Sequence, residues 1–414
     1  MTGTGNATTT VPSLQSPLTH VTLRVVLMAA MTLPMLVLYA VSTLGPFITR
    51  DLGIEAGLLG YFVMSSFGLA AVLSPWAGAF VDRTGSRRSV VILFGAIAAA
   101  FGLIATVPHF PGLIAAVAVC GIAQALANPV TNLLIAQRIP PAKKAAAVGL
   151  KQAGVQVAAL FAGLALPGIA TAFGWRAAFG LIAPVAAVLA VCAPLLTPGE
   201  HTPRGVGFRL ARPNRLLGLL IAVQFSVGVA LSGFVTFLPS FATHQGMPPA
   251  QAGSMVAVFG ATGILSRILL TPLSARLRDE SPLLATLIVL AAFAIVVTLF
   301  AGPASHWRLW TGAVGLGFTA VATNAIAMGM LVRDTSSFGS VATTSGLVSA
   351  AFFAGLAVGP PGYGAIVASP GGYTAAWIAL IGVLLFGCAL ALALQAARRG
   401  HDARLAMAPS RGRE

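Results

Sequence analysis

Charge is what this chain has least of: of 414 residues only 8% are Asp, Glu, Lys or Arg, and just 9 are acidic. A water-soluble domain carries about 25% charged residues, so a soluble globular protein is excluded. Hydrophobic residues make up 57% of the chain and its mean hydropathy is +0.92, so the missing polar surface must be facing hydrocarbon. Cysteine is scarce as well. Cys120, Cys192 and Cys388 have no Cys or His near them in sequence, which leaves a disulfide framework or a metal site without support; they read as small packing residues. There is no glycine-rich phosphate loop, no metal-ligand spacing and no nucleophile–base pattern. Neither an enzyme nor a cofactor nor a bound metal is expected.

Twelve apolar runs are each long enough to cross a bilayer, which takes about 20 residues at about 1.5 Å each. They lie at 22–48, 56–81, 88–107, 111–137, 145–170, 174–196, 215–242, 251–277, 282–301, 308–332, 338–368 and 372–397. Runs of this length are helices, because helices satisfy their own backbone groups in lipid. The expected fold is therefore an all-α membrane protein with twelve transmembrane helices. A polar tail (1–21), a first six-helix bundle (22–196), a central loop (197–214), a second bundle (215–397) and a basic tail (398–414) divide the chain. The first apolar run exceeds a signal-peptide core and is expected to be retained.

The formal net charge of +15 invites a nucleic-acid reading, which its distribution argues against. Of the 24 basic residues, Arg50, Arg176 and Arg308 fall in loops on one side, Lys151 and Arg267 fall within helices, and the other 19 lie on the opposite face. That asymmetry is the positive-inside pattern. It predicts both termini in the cytoplasm of a cell whose plasma membrane holds the protein, with the basic tail meeting anionic lipid headgroups and no nucleic-acid partner. Asn6-Ala7-Thr8 matches a glycosylation sequon but would then lie in the cytoplasm. A bacterial source is suggested by Arg outnumbering Lys 21 to 3.

Between the second and third runs the chain reads Gly78-Ala-Phe-Val-Asp82-Arg83-Thr-Gly85-Ser-Arg87-Arg88. Gly78 permits close helix approach, Gly85 a tight turn, and the arginines mark the cytoplasmic side. This loop resembles the signature of the major facilitator superfamily, roughly G-x-x-x-D-R/K-x-G-R-R/K, at every specified position. A repeat agrees with the resemblance: Phe161-Ala-Gly-Leu-Ala-Leu-Pro-Gly168 mirrors Phe353-Ala-Gly-Leu-Ala-Val-Gly-Pro360 at an offset of 192, and at 193 the signature falls on a decayed copy where Ala275 replaces Asp82 and Arg276 keeps the place of Arg83. The resemblance implies two pseudo-symmetric six-helix bundles, a small-molecule substrate held between them, alternating access, and no requirement for more than a monomer. It also implies that Gly78, Asp82, Arg83, Gly85, Arg87 and Arg88 form a conformational latch, with Asp82 approaching the start of the eleventh helix. There Ser336-Ser337-Phe-Gly-Ser340 would supply N-capping residues. The alternative for Asp82 is a turn carboxylate paired with Arg83 or Arg87.

Charge at a helix centre in hydrocarbon costs at least about 2.5–3.5 kcal/mol on insertion scales, so intramembrane cations are candidates for function. Arg267 follows Gly260 and Gly263 and precedes Thr271 and Ser274 on one small, polar stripe, expected to face the central cavity, opposite Val258, Leu265, Leu269 and Leu273. It is similar to the substrate-anion residue that oxalate–formate exchangers and monocarboxylate transporters of the superfamily carry on the eighth helix; the competing reading is helix packing. Lys151 lies near the start of the fifth helix, within reach of the interface by snorkelling. Other candidates for substrate contact are Gln152 and Gln156, Gln124 and Asn128 on a stripe with Thr131 and Asn132, and Tyr39, Gln224 and Asn324; amides also hydrogen-bond between helices without any substrate. The nine acids (Asp51, Glu55, Asp82, Glu200, Asp279, Glu280, Asp334, Asp402, Glu414) all lie outside helix centres, so the usual carboxylate proton relay is not expected. The resulting expectation is a permease for a small organic anion. A drug or metabolite exporter with a structural Arg267 is the alternative, although the first helix lacks the acid and the fifth lacks the G-P-x-x-G-G motif common there. A non-transporting sensor of transporter ancestry is the second alternative.

Overall fold

The computed structural model describes residues 17–193, 213–339 and 341–407. The central loop beyond Ala193 and up to Arg212, Ser340 and the ends of both tails, including the Asn6 sequon, lie outside the described residues. Every regular element among the described residues is helical. The first half comprises α1 (Pro17–Leu52), a short 3₁₀ turn (Ala56–Leu58), α2 (Leu59–Thr106), α3 (Phe110–Arg138), α4 (Pro141–Phe173), α5 (Trp175–Gly180) and α6 (Ile182–Cys192). The second comprises α7 (Arg215–His244), α8 (Pro249–Ala275), α9 (Ser281–Leu299), α10 (Trp307–Arg333), α11 (Thr335–Phe338), α12 (Val341–Val367) and α13 (Gly372–Met407).

Among the described residues, eleven helical stretches are long and apolar enough to span, but one of them, Ala56–Thr106, has 51 residues. A straight helix of that length would measure about 75 Å, more than twice the roughly 30 Å of hydrocarbon. It is broken at Gly85, whose φ of 78° and ψ of 163° are outside the helical region. A side chain resists that positive φ and glycine does not. The break divides α2 into the second and third passes, and with it the twelve passes are complete. The sixth pass is also interrupted, α5 and α6 meeting at Leu181. Helix ends differ from the apolar runs at both extremities: α1 begins at Pro17 and α13 continues to Met407, because a helix does not stop where hydrocarbon does.

The duplication is visible in the packing. The second pass, in α2, lies against α12, and its counterpart α8 lies against α4, so the two long seams between the halves are equivalent pairs; α1 against α7 completes the interface. These seams are built on missing side chains. A Cβ on Gly60 would stand 2.5 Å from the backbone of Pro360 and Pro361, one on Gly57 2.9 Å from the Gly364 carbonyl oxygen, and one on Gly260 2.8 Å from Ala159 Cβ and Leu160 N. Ser42 Oγ donates across the interface to the Val235 carbonyl. These approaches concentrate at the end of the bundle away from the chain termini. Toward the termini, Gly78 and Gly149 in the first half and Gly346 in the second face open space. The halves therefore approach most closely, backbone against backbone, at that far end. On the outside, Leu265, Ile268, Leu269 and Leu273 of α8 are exposed, as a lipid-facing stripe must be.

Candidate functional site

The polar residues of the membrane interior fall into three groups. The first joins the two halves. Arg267 Nη1, on α8, donates to the Gln152 carbonyl at 2.6 Å and to Gln152 Oε1 at 3.1 Å, on α4. One helical turn further along α4, buried Gln156 packs against Gly263, which leaves room for it by having no side chain. The Tyr39 phenol of α1 lies against Gln156 and within the field of Arg267, its ring 6.2 Å from that of Phe259. Arg267 Nε and Gln156 Oε1 are enclosed and have no hydrogen-bond partner among the described residues. The stripe Gly260–Gly263–Arg267 thus faces α4, and not the open centre as its small residues suggested, because small residues are also what a tight helix seam requires. Arg267 as a residue is partly accessible.

The second group belongs to the first half alone. Lys151 is 1% exposed and does not snorkel. Its ammonium donates to Asn132 Oδ1 at 2.6 Å, Thr131 Oγ1 at 3.0 Å and Asn128 Oδ1 at 3.3 Å, all on α3. Three donors meet three neutral acceptors, which holds the amine inside the bundle more effectively than an interface about 15 Å away along the helix. Gln124, on the same α3 stripe, turns toward α1 and donates to the Pro34 carbonyl at 3.0 Å. The third group is in the second half: Asn324 Nδ2 donates to Gln224 Oε1 at 3.2 Å, and Gln224 Nε2 reaches the Thr323 carbonyl at 3.4 Å. Gln224 is fully buried there.

The loop around Gly85 lies at the termini end with Arg83, Arg87 and Arg88 exposed and Asp82 partly buried. Ser336 and Ser337 do not cap the eleventh pass. They belong to the separate short helix α11, which Asp334 caps: its carboxylate accepts from Ser337 N at 3.1 Å and Ser336 Oγ at 2.8 Å, whereas the residue before the eleventh pass, Ser340, lies outside the described residues. Burial alone would raise the Asp334 carboxyl; the hydrogen bonds from Ser336 and Ser337, with Arg398 beside it, outweigh that and hold it below its ordinary value. Arg398 of α13 also binds Asp279 at 3.2 Å and Glu280 at 3.1 Å, and Arg333 binds Glu280 at 2.5 Å. This network ties the termini-side ends of α9, α10 and α13. The sequence showed these charges only as a topology signal; the adjacent pairs Asp279-Glu280 and Arg333-Asp334 were the available sign that two loops carry complementary charge.

Comparison with known proteins agrees with this architecture. Residues 26–344 match the family model of the Major Facilitator Superfamily. The fold is similar to that of a bacterial homologue of the human lysosomal transporter Spinster, in an inward-facing and occupied conformation, with a TM-score of 0.70, 16% identity, and coverage of 92% of this chain and 98% of that one. Among curated proteins, the hexuronate transporter of Bacillus subtilis is 25% identical over 53% of this chain, a match spanning only 56% of that relative's length. The transcription regulatory protein OpdE of Pseudomonas aeruginosa is 25% identical over 63% of this chain and 67% of its own, and rat solute carrier family 22 member 18 is 25% identical over 70% and 74%. The helical architecture, the glycine-broken loop and the matched residues lead to one statement: this chain belongs to the Major Facilitator Superfamily, a family of multi-pass membrane transporters.

Proposed function

We propose that the protein carries a small organic anion across the plasma membrane by alternating access, with Arg267 holding the anion's carboxylate. The position of Arg267 carries this reading: it lies on the seam between the halves, is anchored through Nη1 to neutral oxygens of Gln152, and has an enclosed Nε without a partner among the described residues. A guanidinium presents a planar fork that suits two carboxylate oxygens at once. Gln152 uses one nitrogen of that fork, so a carboxylate can take the rest without breaking the anchor. Gln156 and Tyr39 stand beside it as uncharged partners for hydroxyls. Lys151, Gln124, Asn128, Gln224 and Asn324 are satisfied by their own halves, and in this reading they shape the two bundles and set their polarity.

A hydroxylated carboxylate fits this chemistry, and the hexuronate transporter among the relatives bears the name of such a compound. Close approach of the halves at the end away from the termini is what one of the two states of alternating access requires. In this reading the termini end is cytoplasmic, Asp82 and its loop latch the opposite state, the protein works as a monomer, and it performs no covalent chemistry. The test is equilibrium binding of glucuronate to the purified protein. Losing hydrogen bonds to a charged group is worth about 1.5–3 kcal/mol, so Arg267→Ala should weaken binding about 10- to 150-fold with the fold intact. Glucuronate binding retained at full strength in folded Arg267→Ala would overturn the assignment and favour an exporter in which Arg267 only packs. A regulatory reading draws on the name of OpdE; it predicts binding without flux, which uptake into proteoliposomes separates from transport.

A further inference from the structure

Lys151 poses a question that anion binding does not answer. It is 1% exposed, and none of its three partners is charged. Carrying a cation into such a site costs several kcal/mol when no counter-ion accompanies it. The other helices packed on α4 bring none. On α1 the titratable and charged groups are His20, Arg24, Tyr39, Arg50 and Asp51, and Asp51 lies at the far end, where it accepts from Trp175 Nε1 at 2.9 Å. α8 contributes Arg267, α3 Arg138, α5 Arg176, and α4 itself Lys143 and Lys144. A residue with a purely structural task could bind both Asn oxygens with the two N–H donors of a neutral amide and let its own oxygen accept from the Thr131 hydroxyl.

What an amine adds is a second protonation state, and the surroundings of Lys151 are built to take both. As an ammonium it has three donors for Asn128, Thr131 and Asn132. As a free amine it has two donors and a lone pair, so one partner must become a donor. Thr131 can: its hydroxyl now donates to the Ala127 carbonyl at 2.6 Å, and rotation about one bond would aim the same hydrogen at Nζ. No backbone needs to move. Arg267 offers no such choice, because a guanidinium stays charged.

We propose that Lys151 takes up and releases one proton in each cycle, making the protein a proton-coupled transporter whose proton rides on an amine and not on a carboxylate. In the uptake step the Nζ lone pair accepts a proton from a hydronium ion, which leaves as water, and the Thr131 hydroxyl turns back to Ala127; release reverses both. The coupling rests on the anion reading given above. Lys151 adjoins Gln152, the anchor of Arg267, so two positive charges occupy one region, and an anion on Arg267 lowers the cost of the second. By thermodynamic reciprocity the proton then favours the anion, which is symport.

The chain's scarcity of lysine makes the test direct, since Lys143, Lys144 and Lys151 are the only three. In full-length protein carrying Lys143→Arg and Lys144→Arg, labelled with ¹³C,¹⁵N-lysine, the side-chain signal belongs to Lys151 alone. It should move between the ammonium and amine positions as pH is scanned over the range in which the protein stays folded. A signal fixed at the ammonium position throughout overturns the proposal, whatever the substrate. In proteoliposomes, a one-proton, one-anion symporter should accumulate glucuronate about tenfold per unit of imposed pH gradient. Lys151→Arg should retain exchange of glucuronate across the membrane and lose the response to the gradient. A gradient response that survives in Lys151→Arg overturns the role of Lys151, and a titrating Lys151 in a protein that does not bind glucuronate supports the proton site while refuting the anion reading.

Discussion

Replacing Gly60 by alanine probes the interface between the halves with a single methyl group. The added Cβ would stand 2.5 Å from the carbonyl carbon of Pro360 and the nitrogen of Pro361, almost an ångström inside the 3.4 Å at which ordinary contact begins. Backbone atoms cannot swing away as a side-chain tip can, so α2 and α12 must move apart. Overpacking of this kind costs about 1–3 kcal/mol. The cost applies only while the seam is closed; the better helix propensity of alanine applies in either state and cancels. A penalty of about 1–3 kcal/mol corresponds to a population ratio of about 5- to 150-fold. Spin labels on Glu55→Cys and Ser369→Cys, one in each half at the closed end, would report it as a distance distribution once exposed Cys192 is replaced by serine. The wild-type seam should give mainly the short distance, and Gly60→Ala should transfer weight to a longer one. Gly95→Ala, with nothing within 4 Å of its Cβ, should leave the distribution unchanged. An unaltered distribution in folded Gly60→Ala would refute the idea that this seam opens as a unit.

Arg398→Ala removes a common partner of Asp279, Glu280 and Asp334, whose side chains are 27%, 5% and 23% exposed. The expected loss lies between the about 1 kcal/mol of an exposed pair and the about 3–5 kcal/mol of a broken buried one, read as a lowered melting temperature in detergent. The carboxyl of Asp334 sits below its ordinary 3.8 when folded, so it contributes stability above that pH and loses it as pH falls through the lower folded value. Melting temperature should therefore drop on acidification below about pH 4, and Asp334→Asn should lack that part of the drop. Asp82→Asn should slow turnover in proteoliposomes while leaving the melting temperature in place; an unchanged rate would remove Asp82 from the conformational cycle.

What could be read from the sequence is what lies close along it. Twelve apolar runs and the lipid stripe Leu265–Leu269–Leu273 follow from periodicity, and the turn at Gly85 follows from one residue type at one place. The seams were half legible: the repeat of Phe161–Gly168 in Phe353–Pro360 marked two equivalent surfaces, but nothing in it said that each packs across to the other half. Partners remote in sequence could not be seen. Arg267 and Gln152 are 115 residues apart, so their pairing across the seam could not be read; Lys151 read as free to snorkel because the three oxygens that hold it belong to α3. The short helix that Asp334 caps is set off from the eleventh pass by Gly339, whose φ of 93° ends it, and the apolar run from 338 onward does not separate the two.

The measurement that bears most directly on the account is uptake of radiolabelled glucuronate into proteoliposomes holding the wild-type protein, Arg267→Lys or Arg267→Ala, each shown to be folded by its melting curve. Saturable uptake by the wild type is expected, with weaker uptake by Arg267→Lys, which keeps the charge and loses the fork, and uptake by Arg267→Ala reduced about 10- to 150-fold at sub-saturating glucuronate. Transport by Arg267→Ala at the wild-type rate, or binding by the wild type with no flux, would contradict it.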